Sequence, residues 1–359
     1  MRLVQSGLRS ASLVVVLFAF AWLGPQMQGA PEAVPGRGTV QHIKVYGKSL
    51  EGNLEGDAPE RDVSVYLPAG YQSHPKQRYP VIYLLHGFTD NDANWFGATH
   101  VFVDAPAAID KAFFSGSARE MILVMPNAYT LYQGSMYSNS ITTGNWEDFV
   151  VRDLVSYVDS HYRTIPARES RGLAGHSMGG YGTIRLGMKF PEVFSSIYIL
   201  SACCLSPNPS VEGPAIPGIE AIPSAAEVAK GDFATRAVFA SAAAWSPNPD
   251  NPPFFLDLPW VNGERRPIVG YKWTANAPLA MIDQYITNLR KLNAIGMDIG
   301  TQDPGLVAMQ ELDKVLTSYK IPHKFETYDG THISRIGERL ETKVLPFFSS
   351  SLSFASKRH

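Results

Sequence analysis

Cysteine is scarce: Cys203 and Cys204 are the two in a chain of 359 residues. So small a number excludes a disulfide scaffold and a four-cysteine zinc site. Being adjacent, they are expected to be buried as small apolar residues, because ring strain disfavours a vicinal disulfide. Charge is sparse as well. Charged residues make up 18% of the chain, and 31 Lys and Arg against 33 Asp and Glu leave a net charge of -2. Without a basic excess to displace counterions, nucleic acid is excluded as a partner. No His, Asp or Glu cluster has metal-ligand spacing, and there is no EF-hand loop or phosphate-binding glycine motif, so neither a metal nor a cofactor is expected. No apolar run is long enough to cross a bilayer. Ala11 to Leu23 covers 13 residues, short of the ~20 that a spanning helix needs.

That same run comes after Arg2 and Arg9 and precedes Gly24-Pro25 and Gly29-Ala30. The order is that of a secretory signal peptide cleaved near Ala30. Residues 1–30 are therefore assigned to an export signal, and the mature chain is expected outside the cytoplasm, secreted or periplasmic, without a stable membrane anchor. With 45% apolar residues, the chain has material for a full core and is expected to form one domain over residues 36–354.

Period-two alternation over Val40 to Tyr46 and Arg61 to Leu67 predicts half-buried antiparallel strands. Short apolar runs come next at Val81 to Leu85, Met121 to Met125, Ile197 to Leu200 and around Ile295 to Ile299, as in a parallel sheet buried on both faces. Between them, Trp146 to Tyr162, Leu306 to Tyr319 and Ile336 to Phe348 carry helical periodicity. The fold class is α/β: a mostly parallel central sheet flanked by helices. One stretch breaks the alternation. Residues 201–280 hold 12 of the 26 prolines, and 203–293 read as a Pro-rich, cap-like insertion with helices near Ala225 to Ala244 and Ala280 to Leu292.

The chemistry concentrates at Gly175-His-Ser177-Met-Gly179, between the strand-like Arg171 to Ala174 and the helical Tyr181 to Lys189. A Gly-x-Ser-x-Gly pentapeptide in that context is a nucleophile elbow. Its glycines let strand and helix approach, which pushes the Ser177 hydroxyl out at the sheet edge and sets the Met178 N–H at a helix N-terminus, ready to donate to an oxyanion. A serine nucleophile needs a base oriented by an acid, here in the chain order Ser, acid, His. His332, in the turn Tyr328-Asp-Gly-Thr-His332, fits that order. His42, His74, His100 and His161 precede the elbow, His359 ends the chain, and His323 sits before a strand. Asp303, in the loop Gly300-Thr-Gln-Asp303, is the expected acid, with Asp298 as its competitor. In the loop His86-Gly87-Phe88-Thr89-Asp90, Gly87 is expected to permit the turn and the Phe88 N–H to supply the second oxyanion donor. Trp95, Tyr137 and Trp273 are the aromatic candidates for substrate contact, although the insertion's aromatics could equally form its own core.

With those residues in place the sequence resembles the esterase D-like branch of the α/β-hydrolases. That branch includes feruloyl esterases, S-formylglutathione hydrolases, siderophore esterases and secreted mycolyltransferases. The matching segments are Tyr79-Pro-Val-Ile-Tyr-Leu-Leu-His-Gly87, Trp95, Trp146-Glu-Asp148, Gly175-His-Ser-Met-Gly-Gly180, Gly300-Thr-Gln-Asp303 and Gly330-Thr-His332, spread from Arg61 to Phe348. The resemblance implies an α/β-hydrolase fold with Ser177 as nucleophile, His332 as general base, Asp303 as its orienter, and the Phe88 and Met178 amides as the oxyanion hole. It implies a small-molecule or carbohydrate-linked ester as substrate, such as a feruloyl or acetyl ester. The alternatives are an acyltransferase of the mycolyltransferase type using the same triad, and a non-catalytic binding protein on a hydrolase scaffold. The insertion departs from the compact feruloyl esterases.

Overall fold

The computed structural model describes residues 36–97, 102–206 and 215–354. The expected export signal lies outside them. Among the described residues no helix is long and apolar enough to cross a membrane.

Eight strands form the central sheet: β1 (Thr39–Tyr46), β2 (Glu60–Leu67), β3 (Val81–Leu85), β4 (Ile122–Pro126), β5 (Arg171–His176), β6 (Ser196–Leu200), β7 (Ala294–Gly300) and β8 (Lys324–Tyr328). Their spatial order is β1-β2-β4-β3-β5-β6-β7-β8. The β1–β2 and β2–β4 pairs are antiparallel. Every other neighbouring pair is parallel. The antiparallel start and parallel remainder match the change from alternating to continuous apolar runs.

Because successive side chains point to opposite faces, β3 sends Val81, Tyr83 and Leu85 into one core and Ile82 and Leu84 into the other. The same division separates Ile197 and Ile199 from Tyr198 and Leu200 on β6. On the second face lie α1 (Ala105–Phe114) and the C-terminal helix over residues 336–351. Helix α1 escaped the sequence reading, although Asp104 caps it by accepting from the Ala107 N–H and Pro106 sits in its first turn, both starting signals. The first face carries the helix over 146–161, α2 (Met178–Lys189) and α3 (Leu306–Ser318).

Residues 203–293 contain two longer helices, α4 (Phe233–Trp245) and α5 (Pro267–Asn276). The expected helix near Ala280 to Leu292 is broken into short turns at Pro278–Met281, Ile282–Tyr285 and Ile286–Leu289. A two-residue ladder, Trp260–Val261 with Glu264–Arg265, turns through Asn262 and Gly263, both at positive φ. The described residues of the insertion form no separate core. Phe239, Trp245, Leu256, Trp260 and Trp273 join the cluster that covers the first sheet face.

Two buried ion networks fix helices to this frame. Glu147, on the helix over 146–161, pairs with Arg185 at 2.7 Å and with Lys189, both on α2. Asp298 of β7, fully buried, accepts from Arg339 at 2.8 Å and from the Tyr198 hydroxyl at 2.9 Å. Arg339→Leu leaves the Asp298 carboxylate buried without its cation and is expected to destabilise by about 3–5 kcal/mol in urea unfolding. Combining it with Asp298→Asn is expected to recover most of that loss. A single variant that unfolds at the wild-type urea concentration would refute this account.

Candidate active site

Six parallel strands, β3 to β8, deliver loops to one carboxyl-terminal edge, and close backbone approach holds those loops together. Ser177 follows β5 at φ 58, ψ -116, a region that strains a residue with a side chain by about 1–3 kcal/mol. Its N–H donates to the Leu200 carbonyl, and its own carbonyl accepts from the Tyr181 and Cys203 amides. The strain is sustained because the pentapeptide leaves no room for relaxation. A Cβ on Gly175 would overlap the Gly179 carbonyl, and one on Gly179 would overlap the carbonyls of Leu85 and His86. The α2 N-terminus is thereby seated directly on the end of β3.

The structure brings Ser177, His332 and Asp303 together. The His332 Nε2 lies 2.8 Å from the Ser177 Oγ, and its Nδ1 lies 2.7 Å from the Asp303 Oδ2. The second Asp303 oxygen accepts from the Gly305 N–H at 2.8 Å. Burial by itself raises the Asp303 carboxyl. The hydrogen bonds from His332 and the Gly305 amide, with the His332 charge, outweigh it and hold the group below the ordinary carboxylate range. Asp298 is elsewhere, committed to Arg339 and Tyr198.

The loops carrying Asp303 and His332 are stitched to each other. Thr301 donates to the Tyr328 carbonyl and Gln302 to that of Gly330. Gly300 and Gly330 lie so close that a Cβ on Gly300 would overlap the Gly330 carbonyl. His176, the second residue of the pentapeptide, has its Nε2 2.8 Å from the His332 carbonyl, which can only accept, so Nε2 carries the proton. Burial first, then the neighbouring His332, push the His176 imidazole down to about 4. It is therefore a neutral prop beneath the His332 loop, one the sequence reading passed over.

After β3 the chain turns tightly, with the Asp90 N–H donating to the Gly87 carbonyl. The left-handed residue in that turn is Thr89, at φ 65. A Cβ on Gly87 would touch the Ser177 Cβ at 3.4 Å, so this glycine keeps space open beside the serine. His86 is buried, with its Nε2 accepting from the Ala128 N–H at 2.8 Å and its Nδ1 2.8 Å from the Gly87 carbonyl. The Phe88 amide has no acceptor in the turn. Met178, as the first residue of α2, has no intrahelical acceptor for its N–H either.

Two cavities meet at the serine. One, of about 470 Å³, is bordered by Thr89, Asp90, Asn94, Phe102, His176 and Ile333. The other, of about 370 Å³, is bordered by Met136, Ala202, Cys203, Cys204, Ala237 and Pro304. Ser177, His332, Phe88 and Phe233 border both. Phe88 and Phe233 meet edge to face, with ring centroids 5.5 Å apart. The three aromatic candidates for substrate contact border neither cavity. Trp95, Tyr137 and Trp273 are at most 1% exposed, because their large apolar surface is taken into the core and their polar atoms find internal partners. Those partners are Asp90 for Trp95, the His86 carbonyl for Tyr137 and Ser246 for Trp273. Phe233 borders both cavities where those three do not. Its signal is the stripe Phe233, Ala237, Ser241 at helical spacing, where small residues leave room on the face opposite Phe239. Among the described residues no group of three or more His, Cys, Asp or Glu could hold a metal ion.

Comparison with known proteins agrees with this architecture. An endo-1,4-beta-xylanase/feruloyl esterase of Xylanibacter ruminicola is 28% identical over 176 residues, 48% of this chain and 22% of the relative. Esterase Rv1288 of Mycobacterium tuberculosis is 30% identical over 139 residues, 37% of this chain and 27% of the relative. The chain thus spans about a quarter of the length of these curated relatives. Among solved structures, a ferulic acid esterase superposes with a TM-score of 0.61 at 21% identity, covering 88% of this chain and 99% of the other. An S-formylglutathione hydrolase from Agrobacterium tumefaciens superposes at 0.57 with 15% identity, covering 89% and 98%. The fold is that of the α/β-hydrolase esterases. The model of the Esterase family ("Putative esterase") matches residues 58–335, and this chain belongs to that family.

Proposed function

We propose that the chain is an exported serine carboxylic-ester hydrolase that works through an acyl-enzyme. The observation that carries this reading is the continuous relay from the Ser177 Oγ through both nitrogens of His332 to Asp303. His332 removes the Ser177 proton through Nε2 as Oγ attacks the ester carbonyl. The negative charge that develops on the carbonyl oxygen is met by the Phe88 and Met178 N–H groups, whose donors are not spent elsewhere; a donor of this kind is worth about 3 kcal/mol in the transition state. Protonated His332, stabilised by the Asp303 carboxylate, then hands its proton to the leaving alcohol. Water enters, is deprotonated by the same nitrogen, and releases the acid.

The two cavities divide the substrate. The second, walled by Met136, Ala202, Ala237 and Pro304, suits an apolar acyl group such as a feruloyl moiety. Thr89, Asp90 and Asn94 in the first suit a hydroxyl-rich alcohol, as in a carbohydrate ester. Two of the solved neighbours are complexes with sinapinate and with ferulic acid. The basic, apolar and small-residue order of residues 1–30 supports export by a cleaved signal.

Three outcomes test the reading. Ser177→Ala is expected to lose p-nitrophenyl acetate turnover and fluorophosphonate labelling while keeping its circular dichroism; retained turnover would overturn the assignment. Asp303→Asn is expected to lower kcat by about 10⁴-fold, because the imidazole then settles in the wrong tautomer; a loss below about tenfold would remove Asp303 from the relay. The third concerns acid. An unfolded chain holds the His176 imidazole at its ordinary 6.5, whereas the folded one holds it at about 4. Between those values the unfolded state takes up the proton first, so stability falls as pH drops through that window and is unaffected by this group above it. The full loss is about 3 kcal/mol. In urea unfolding at stepped pH, His176→Gln is expected to flatten that slope, and an unchanged slope would show that other groups carry it.

A further inference from the structure

The adjacent cysteines are not the fully buried pair that their sequence suggests. Both are free and only half-buried, and both border the second cavity. Neighbouring side chains on an extended backbone point to opposite sides, so two adjacent sulfurs meet only where the chain is kinked. The turn after β6 supplies the kink, with Ser201 at φ 42 and Cys204 at φ 60, and it brings the two Sγ atoms to 2.7 Å. The same turn is tied to the reacting centre, since the Cys203 N–H donates to the Ser177 carbonyl at 3.2 Å.

We propose that Cys203 and Cys204 form a reversible dithiol–disulfide site in the wall of the second cavity, and that its redox state sets which acyl groups the cavity admits. The oxidant is a low-molecular-weight organic disulfide that reaches the thiols through the cavity. One cysteine, losing its proton, attacks a sulfur of that disulfide, forms a mixed disulfide and expels one thiol. The other cysteine, losing its proton in turn, attacks the protein-bound sulfur of the mixed disulfide, closes the Cys203–Cys204 bond and expels the second thiol. The pair gives up two electrons and two protons, and the reagent leaves as two thiols.

Adjacent Cα atoms lie about 3.8 Å apart across a trans peptide, below the ~4.4–6.8 Å usual for a disulfide. The bridge is therefore strained and easily reduced, suited to switching and not to holding the fold. Closing it moves a wall that Ala202, Cys203 and Cys204 share, while Ser177, His332 and Asp303 stay linked to one another. The effect on acyl choice rests on the ester-hydrolase reading; the thiol chemistry does not.

The test equilibrates the full chain in reduced and oxidised glutathione, traps free thiols with iodoacetamide and reads intact mass. The expected result is joint loss of both thiols, a mass deficit of two hydrogens and no retained glutathione. Dithiothreitol is expected to restore both thiols, and phenylarsine oxide to bind the reduced form alone. In parallel, the ratio of kcat/KM for p-nitrophenyl benzoate to that for p-nitrophenyl acetate is expected to change by about tenfold between the two states, and Cys204→Ser is expected to abolish that dependence. Cysteines that stay alkylatable, or appear only as glutathione adducts or cross-links between chains, would overturn the site. A ratio constant within about twofold in protein shown to carry the bridge would overturn the control of acyl choice. If fluorophosphonate fails to label Ser177 in either state, the hydrolase reading falls, while the mass measurement still decides the dithiol.

Discussion

The site depends on the absence of side chains at Gly175 and Gly179, where strand β5, helix α2 and the end of β3 approach to backbone contact. Hard-sphere overlap is the steepest term available to a folded chain, and here it works by exclusion. With no Cβ in the gap, α2 sits against the carbonyls of Leu85 and His86, and Ser177 has one place to go, a positive φ above the sheet edge. The stress is distributed. The Glu147 carboxylate holds α2 through Arg185 and Lys189 on its far side, and the Ser177 backbone is fixed by Leu200, Tyr181 and Cys203.

A second level of organisation concerns neutral imidazoles. Among the described residues three histidines stand near the serine, and just one of them, His332, has both nitrogens turned to Ser177 and Asp303. His86 and His176 are buried and bond backbone groups: the Gly87 carbonyl and Ala128 amide through both nitrogens of the first, the His332 carbonyl through Nε2 of the second. Burial disfavours the charged form of both. They act as uncharged spacers, so His332 has no competing cation packed beneath it.

The sequence made the frame legible because the frame obeys local rules. Strand β3 was bounded correctly at Val81 and Leu85, since a five-residue apolar run closed by Pro80 and His86-Gly87 has few alternatives. The meeting of Ser177, Asp303 and His332 followed from chain order and loop position. What escaped was set by tertiary context. Loop position favours Asp303 over Asp298 as the acid, but no linear signal shows what occupies Asp298, an arginine 41 positions later in the chain. Trp95, Tyr137 and Trp273 looked like substrate contacts because aromatic rings suit pockets, yet the same surface is better satisfied in the core. The broken helices after Pro278 and the left-handed Thr89 depend on neighbours that a linear reading does not see.

Helix α4 carries a consequence of its own. Phe233 belongs to the insertion, yet together with Phe88 it borders both cavities. A partition common to two compartments makes their occupancies interdependent. On the proposed division of an ester between the two chambers, a bulky group in one presses the shared rings toward the other, so the free energies of seating the two ends do not simply add. On that reading, selectivity toward the acid component and toward the alcohol component are thermodynamically linked, and drift in the insertion alters both together while the sheet edge stays as it is.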